Sequence, residues 1–194
     1  MLIGITGGSG SGKSVACAAL ARAGYPVIDC DALVHELYDD PDFAGAVGVA
    51  FPEAVTGDGR IDRKILAGIV FSDRSALARL NATVFPRILR EIQNRAAAFG
   101  GDVILDAPTL FESGLDAACD VIVGIVADEK TRLSRICQRD GISEEAGRAR
   151  LASQKSEDFF RSHCHVIVEN NGNPEKLISE MENVMSRIGN GRKA

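Results

Sequence analysis

The chain of 194 residues contains no tryptophan, and aromatic residues make up only 5% of it. Any core must therefore be mainly aliphatic, and a hydrophobic share of 45% suffices for one α/β domain with insertions. A basic excess is also missing. The net charge is −5, so no overall positive field draws in nucleic acid or an anionic membrane, and neither is expected as a partner. No run is long and apolar enough to span a bilayer. Met1 stands directly on the first apolar run, which leaves no room for a signal peptide and makes a cytoplasmic location the expectation. The five cysteines (17, 30, 119, 137, 164) are odd in number and form no C-x-x-C pair. They are expected as small buried apolar side chains in a reducing compartment, not as a disulfide framework. His163-Cys164-His165 suggests a metal cluster at first, but neighbouring residues on a strand point to opposite faces and cannot easily share one ion. There is no internal repeat and no low-complexity linker.

What is present starts at the N-terminus. Gly7-Gly8-Ser9-Gly10-Ser11-Gly12-Lys13-Ser14 fits G-x-x-x-x-G-K-[ST], a loop that holds nucleotide phosphates. Its setting is right: the apolar run 1–6 reads as a buried strand, and the Ala-rich run 15–23 reads as a helix. Glycine lets the backbone curl until several N–H groups share one concavity, with no Cβ in the way of phosphate oxygens. The helix that follows adds the positive end of its dipole. Gly8, Gly10, Ser11, Gly12, Lys13, Ser14 and Val15 are thus the expected nucleotide contacts. Lys13 supplies a mobile charge to the β- and γ-phosphates, and the Ser14 hydroxyl is a hard oxygen ligand suited to Mg²⁺. A glycine-rich turn with an exposed lysine is the plain alternative.

Further along, 25–31 reads as a second strand, 102–106 as a third, 120–127 as a fourth and 166–168 as a fifth. Continuous apolar runs without alternation suit parallel strands covered on both faces. Residues 61–99 show only helical spacing, with Pro86 expected to break, kink or restart that stretch. The pattern predicts a closing amphipathic helix over 174–188, after which 189–194 are expected to fray.

Candidate catalytic groups come from three places. Asp29 and Asp31 end the second strand, where ligands bind in open parallel sheets. They share parity if the strand continues that far, and Asp31 is placed either to accept a proton from an incoming hydroxyl or to cap the next helix. Asp106 follows an apolar strand, a usual place for a carboxylate that holds Mg²⁺ through water, with Asp29 as competitor. Glu112 could contact substrate or cap the following helix. Five arginines crowd 132–150, and Arg132, Arg135 and Arg139 share one helix face. They read either as a mobile flap over a triphosphate, with Arg139 the best single candidate, or as a solvated face paired with Asp128, Glu129, Glu144 and Glu145. No N-K-x-D guanine signature is present.

Taken in order, these segments resemble the dephospho-coenzyme A kinases. G-I-T-G-G-S-G-S-G-K-S is similar to that family's phosphate loop, and V-I-D-C-D (27–31) to an element whose second Asp is the catalytic base. Residues 58–71 with 77–88 resemble its helical substrate domain, and L-D-A-P-T-L-F-E (105–112) its D-x-P-L-L-F-E loop. Residues 135–143 with A-R-L-A-S-Q (149–154) resemble its lid, and V-I-V-E-N-N-G (166–172) its late strand and turn. Phe85, Thr109 and Cys164-His165 depart from the usual His, Leu and Ala-Asp, and at Phe85 a ring that could hydrogen-bond substrate is lost. The resemblance implies a three-layer α/β phosphate-loop kinase core with a five-stranded parallel sheet. The core would cover about 1–60, 100–134 and 160–194, with a helical substrate-binding insertion at about 61–99 and a lid at about 135–159. It implies ATP and Mg²⁺, with dephospho-coenzyme A phosphorylated on its ribose 3′-hydroxyl in the last step of coenzyme A synthesis. Asp31, Lys13 and Arg139 would be catalytic, Asp31, Arg63 and Glu112 would meet the acceptor, and Ser14 and Asp106 the metal. A monomer or weak homo-oligomer is expected. Another small-metabolite or nucleoside-monophosphate kinase, or a non-catalytic nucleotide-binding module, would share the loop.

Overall fold

A computed structural model describes residues 1–191; the fraying expected beyond Gly191 concerns residues outside that range. In chain order the elements are β1 (Leu2–Thr6), α1 (Lys13–Arg22), β2 (Val27–Asp29), α2 (Cys30–Leu37), α3 (Pro41–Ala50), α4 (Arg63–Ser72) and α5 (Arg74–Phe99). There follow β3 (Val103–Asp106), β4 (Val121–Val126), α6 (Glu129–Asp140), α7 (Glu144–Ala152), α8 (Glu157–His163), β5 (Val166–Glu169) and α9 (Pro174–Asn190). All five expected strands form, in the order β2-β3-β1-β4-β5. β1 lies between β3 and β4, and β4 beside β5, each pair parallel. This is the α/β architecture that the unalternated apolar runs predict.

Two compact units divide the chain: residues 1–27 with 101 onward, and 28–100. The first holds most of the sheet. Its core joins Ile3 and Ile5 of β1 to Ile104, Val123, Ile125 and Val168, and packs them against Leu20 of α1 and Leu177, Met181, Val184 and Met185 of α9. These residues are aliphatic, as a chain without tryptophan requires. α9 buries the stripe its spacing predicts and runs on through Gly189 and Asn190, where fraying is expected from the sequence. Gly4 and Gly124 have no room for a side chain. A Cβ at Gly4 would stand 2.8 Å from Cys119 Sγ, and one at Gly124 would stand 2.6 Å from Cys164 Sγ. Burial pushes the Cys119 thiol up to about 12, with Asp116 and Asp120 adding to the effect, and the Cys164 thiol up to about 11. Both stay protonated at neutral pH and act as small packing groups.

Neither His163 nor His165 lies on a strand. His163 ends α8 and stacks on Phe159, with centroids 4.0 Å apart. His165 precedes β5 and accepts a hydrogen bond from Ile122 N–H at Nδ1, 3.0 Å. Among the described residues no cluster of three or more His, Cys, Asp or Glu is placed to hold a metal ion, and no helix is long and apolar enough to cross a membrane.

The second unit is helical, and it begins at Ile28, well before the expected start at 61. Phe43, Val47 and Phe51 of the α3 segment are buried, as are Leu66 and Val70 of α4 and Ile88 and Ile92 of α5. On α4, Leu66 and Val70 face the interior and Ile65 is exposed. Pro86 neither ends α5 nor starts a new helix. It removes the hydrogen bond that its N–H would have given to the Ala82 carbonyl and its ring crowds that carbonyl, and the buried faces on either side of it outweigh that cost. Asp62 caps α4 by accepting from Lys64 and Ile65 N–H at 2.9 and 3.0 Å. Asp62→Ala is expected to cost about 1 kcal/mol of stability in denaturant titration, the usual value of such a cap.

Candidate active site

Helix N-termini show where backbone donors are left over. The first N–H groups of any helix lack intrahelical acceptors and need a side chain, water or ligand. Among the described residues, α2 to α9 each have a side-chain acceptor at the N-cap: Asp29, Asp40, Asp62, Asp73, Asp128, Ser143, Ser156 and Asn173. α1 has none, because its N-cap is Gly12 in a left-handed conformation at φ 103°. The uncapped helix is the one that follows the phosphate loop.

The loop's carbonyls are tied off. Gly8 C=O accepts from Ser11 N–H at 3.1 Å, and Gly12 C=O accepts from Val15 and Ala16 N–H. Arg132 Nε donates to Ser9 C=O at 2.9 Å, Arg135 Nη1 to Gly10 C=O at 3.2 Å, and the buried Asn170 Nδ2 to Ser11 C=O at 2.7 Å. By contrast, the N–H groups of Gly10, Gly12, Lys13 and Ser14 meet no acceptor among the described residues. With the oxygens turned outward and the N–H groups left over, the loop is a nest of positive partial charge at a helix N-terminus. Two buried hydroxyls, Thr6 Oγ1 and Ser11 Oγ, also lack partners among the described residues.

The fit leaves no room for side chains. A Cβ at Gly10 (φ 78°) would lie 2.6 Å from the Arg132 carbonyl oxygen, and one at Gly12 would lie 2.2 Å from Asn170 Nδ2. Gly10→Ala is therefore expected to remove at least about 2 kcal/mol of stability and to weaken nucleotide binding together, since backbone strain and a backbone clash coincide there. Thermal melting with and without nucleotide would check both.

Lys13 makes an ion pair with Asp106 Oδ1 at the end of β3. Two expected site residues that lie 93 positions apart in sequence thus meet. Ser14 is exposed and its hydroxyl has no partner among the described residues, and Val15 is exposed beside it. A free hydroxyl and a carboxylate reaching the same loop are hard oxygen donors of the kind Mg²⁺ takes, one or two at a time, while keeping several waters.

The arginines divide differently from the expectation. Arg132, 8% exposed, lies behind the loop. Burial lowers its pKa, with Glu157 and Glu129 opposing. Arg135 joins Gly10 to the turn after β5, donating also to Asn170 C=O at 2.9 Å and to Gly172 C=O at 3.0 Å. Arg139, the best single candidate from sequence, donates instead to its neighbour Asp140 through Nε and Nη2 at 2.7 and 2.9 Å. Asp140 also accepts from Arg150, and its carboxyl is held below the usual range, chiefly by the bond from Arg139. Arg148 pairs with Glu129 and Glu144, as a solvated face would. Residues 135–159 are not set apart as a unit; they lie within the sheet-bearing one. Glu112 is exposed and does not cap the short 3₁₀ turn after it, whose N-cap is Gly114.

In the helical unit, β2 ends at Asp29 and α2 starts at Cys30, so the shared strand parity of Asp29 and Asp31 does not apply. Asp29, not Asp31, is the cap, accepting from Ala32 N–H at 3.0 Å. Asp31 sits in the first turn of α2, exposed and without a hydrogen-bond partner among the described residues. Arg63, at the start of α4, lies against His35 with Nη1 2.6 Å from Nδ1 and Nη2 2.9 Å from Nε2. A neutral imidazole has one acceptor nitrogen, so only one of these contacts is a hydrogen bond. The Arg63 guanidinium also stands 5.4 Å from the Tyr38 ring centre. Phe85 is half-buried on α5.

The roles of Asn170, Gln154 and Arg132 as partners of the loop were not legible beforehand. Asn170 and Gln154 stand in the segments V-I-V-E-N-N-G and A-R-L-A-S-Q, whose likeness to the family was visible, but nothing local says which carbonyl an amide side chain serves.

A sequence model described as dephospho-CoA kinase matches residues 1–176. The chain belongs to the dephospho-CoA kinase family. It is 33% identical over 192 residues to the dephospho-CoA kinase of Fusobacterium nucleatum, with 97% of this chain and 98% of that one covered. It is 36% identical over 190 residues to that of Thermobifida fusca, covering 96% and 95%. Among solved structures, a Thermus thermophilus protein superposes with a TM-score of 0.81 at 36% identity, covering 96% of this chain and 97% of that one. A Campylobacter jejuni dephospho-CoA kinase does so with a TM-score of 0.72 at 25% identity, covering 98% of each. A shikimate kinase at 15% identity shares the fold, with a TM-score of 0.55. Membership in the dephospho-CoA kinase family makes the chain an ATP-dependent phosphotransferase of coenzyme A biosynthesis.

Proposed function

We propose that this dephospho-CoA kinase transfers the γ-phosphoryl group of ATP to the ribose 3′-hydroxyl of dephospho-coenzyme A, and that the residues above divide the work as follows. The observation that carries the reading is the uncapped N-terminus of α1, where loop N–H groups face no acceptor among the described residues while every carbonyl of residues 8–12 is occupied. A triphosphate supplies the missing acceptors. Lys13 then exchanges its bond to Asp106 for the β- and γ-phosphate oxygens, and Ser14 with the released Asp106 would hold Mg²⁺. The metal, when bound, spreads the charge that develops on the phosphates. Asp31 orients the acceptor hydroxyl and takes its proton as the phosphoryl group moves. Arg63 and Glu112 bind the acceptor, and Arg139, released from Asp140, covers the transferring group. Phosphoryl transfer needs mostly alignment and charge stabilisation, which loop, lysine and arginine supply together. We assign the chain to the cytoplasm as a monomer or weak homo-oligomer.

The test is ADP release coupled to a reporter enzyme, with magnesium ATP and a panel of acceptors. Dephospho-coenzyme A is expected to give the highest kcat/KM. Faster turnover of a nucleoside monophosphate would assign the chain a different acceptor. ATP binding with no acceptor phosphorylated would leave it a nucleotide-binding module.

A further inference from the structure

Gln154 stands in the short connection between α7 and α8 and belongs to neither helix. Its backbone is pinned on both sides. Gln154 N–H donates to Leu151 C=O at 3.2 Å, and two residues later Ser156 caps α8 by accepting from Phe159 N–H at 3.2 Å. From this fixed point the side-chain amide reaches the phosphate loop. Oε1 accepts from Ser9 N–H at 2.9 Å and from Arg132 Nη2 at 3.0 Å. Nε2 donates to Ser9 Oγ at 2.6 Å. Arg132 Nε completes the set by donating to Ser9 C=O at 2.9 Å. All three polar groups of Ser9 are thus held by two side chains. The amide orientation follows from its partners: with oxygen and nitrogen exchanged, the NH₂ group would face two donors.

This arrangement spends the Ser9 N–H on the protein, so that N–H does not serve a phosphate. Its purpose lies in what it does to the rest of the loop. Gly7, Gly8, Gly10 and Gly12 give residues 7–12 wide conformational freedom. A nucleotide that had to order such a loop itself would bind more weakly by that entropy. We propose that Gln154 is a positioning residue that acts through Ser9, holding the first half of the loop so that the N–H groups of Gly10, Gly12, Lys13 and Ser14 converge before ATP arrives. It touches neither ATP nor acceptor. The proposal rests on the loop being the ATP site. It deepens that reading by making ATP affinity, and not acceptor affinity, depend on the segment between α7 and α8.

The experiment measures ATP binding by calorimetry and steady-state kinetics on the full chain carrying Gln154→Ala, Ser9→Ala, the pair together, and Lys13→Ala as a control for the site. Gln154→Met, which keeps length and volume without polar atoms, is measured beside Gln154→Ala. Both Gln154 variants are expected to raise the Kd and KM for ATP about tenfold or more, the size of effect a misplaced loop produces, and to leave the KM for dephospho-coenzyme A within about twofold. A purely structural role would lower the melting temperature and the active fraction without moving KM for ATP. Ser9→Ala added to Gln154→Ala is expected to cost less than it costs alone, since the two share one interaction. Unchanged ATP affinity in both Gln154 variants, with binding lost in Lys13→Ala, would overturn the role of Gln154 and leave the ATP site standing. Normal ATP binding in Lys13→Ala as well would overturn both.

Discussion

Replacing Asp31 by asparagine is expected to lower kcat at least about a hundredfold while ATP still binds with a Kd within about twofold of the wild type. The size is that of a lost general base. The structure makes this a clean test. A carboxylate at the start of a helix can be there only to cap it, and then its loss would show as instability. Here the cap is Asp29, whose Oδ1 accepts from Ala32 N–H, while Asp31 is exposed and accepts no hydrogen bond among the described residues. Asparagine at 31 keeps the size of the side chain and removes only the negative charge and the basicity. The remaining structural effect is the loss of a charge in the first turn of α2, worth about 0.3–1 kcal/mol. Rapid-quench measurement of the first turnover, beside ATP binding without acceptor, separates chemistry from binding. A first-turnover rate near that of the wild type would remove Asp31 from proton transfer.

Lys13→Ala is expected to raise KM for ATP and lower kcat together, so that kcat/KM for ATP falls by at least about a thousandfold. The lysine is needed both in the ground state, where its charge meets the β- and γ-phosphates, and in the transition state, where charge on those oxygens shifts. Without nucleotide its ammonium is held by Asp106 at the end of β3, with both side chains mostly shielded from solvent. The substitution therefore also leaves the Asp106 carboxylate without its partner beside an anionic ligand, and repulsion adds to the loss. Titration with ATP and steady-state kinetics read the two effects separately. Unchanged kinetics would place the nucleotide elsewhere in the chain.

Much of this molecule is written in local patterns. The apolar runs that become β1, β3, β4 and β5 could be placed within a residue or two, because a strand covered on both faces needs an unbroken hydrophobic sequence. The buried stripe of α9 followed from helical spacing alone. The phosphate loop was legible because its chemistry is contained in eight consecutive residues, 7–14. Where competing local signals met, the outcome was less legible. Asp29 and Asp31 both suit an N-cap, and which of them caps α2 depends on β2 ending one residue before Cys30. Pro86 is a helix breaker by its own chemistry, yet α5 continues through it because burial of Ala76, Ile88 and Ile92 acts over the whole helix and outweighs the lost bond and the crowded carbonyl. The helical unit starts at Ile28 and not at 61, since α2 and α3 pack on α5, a contact between segments far apart in the chain.

The arginine cluster makes the division sharpest. Spacing correctly put Arg132, Arg135 and Arg139 on one helix, and a role near phosphate was a fair reading of their charge. Spacing could not say that Arg132 and Arg135 would donate to the loop's own carbonyls while Arg139 turned to Asp140. The sequence by itself determined the strand–loop–helix unit, the lysine and serine within it, and the family, because each is carried by short runs of consecutive residues and their order along the chain. Only the tertiary structure decided which side chains cap the loop's oxygens and which carboxylate waits on Lys13, because those partners are 93 to 159 residues apart and their meeting is set by strand order and helix packing, which no local pattern records.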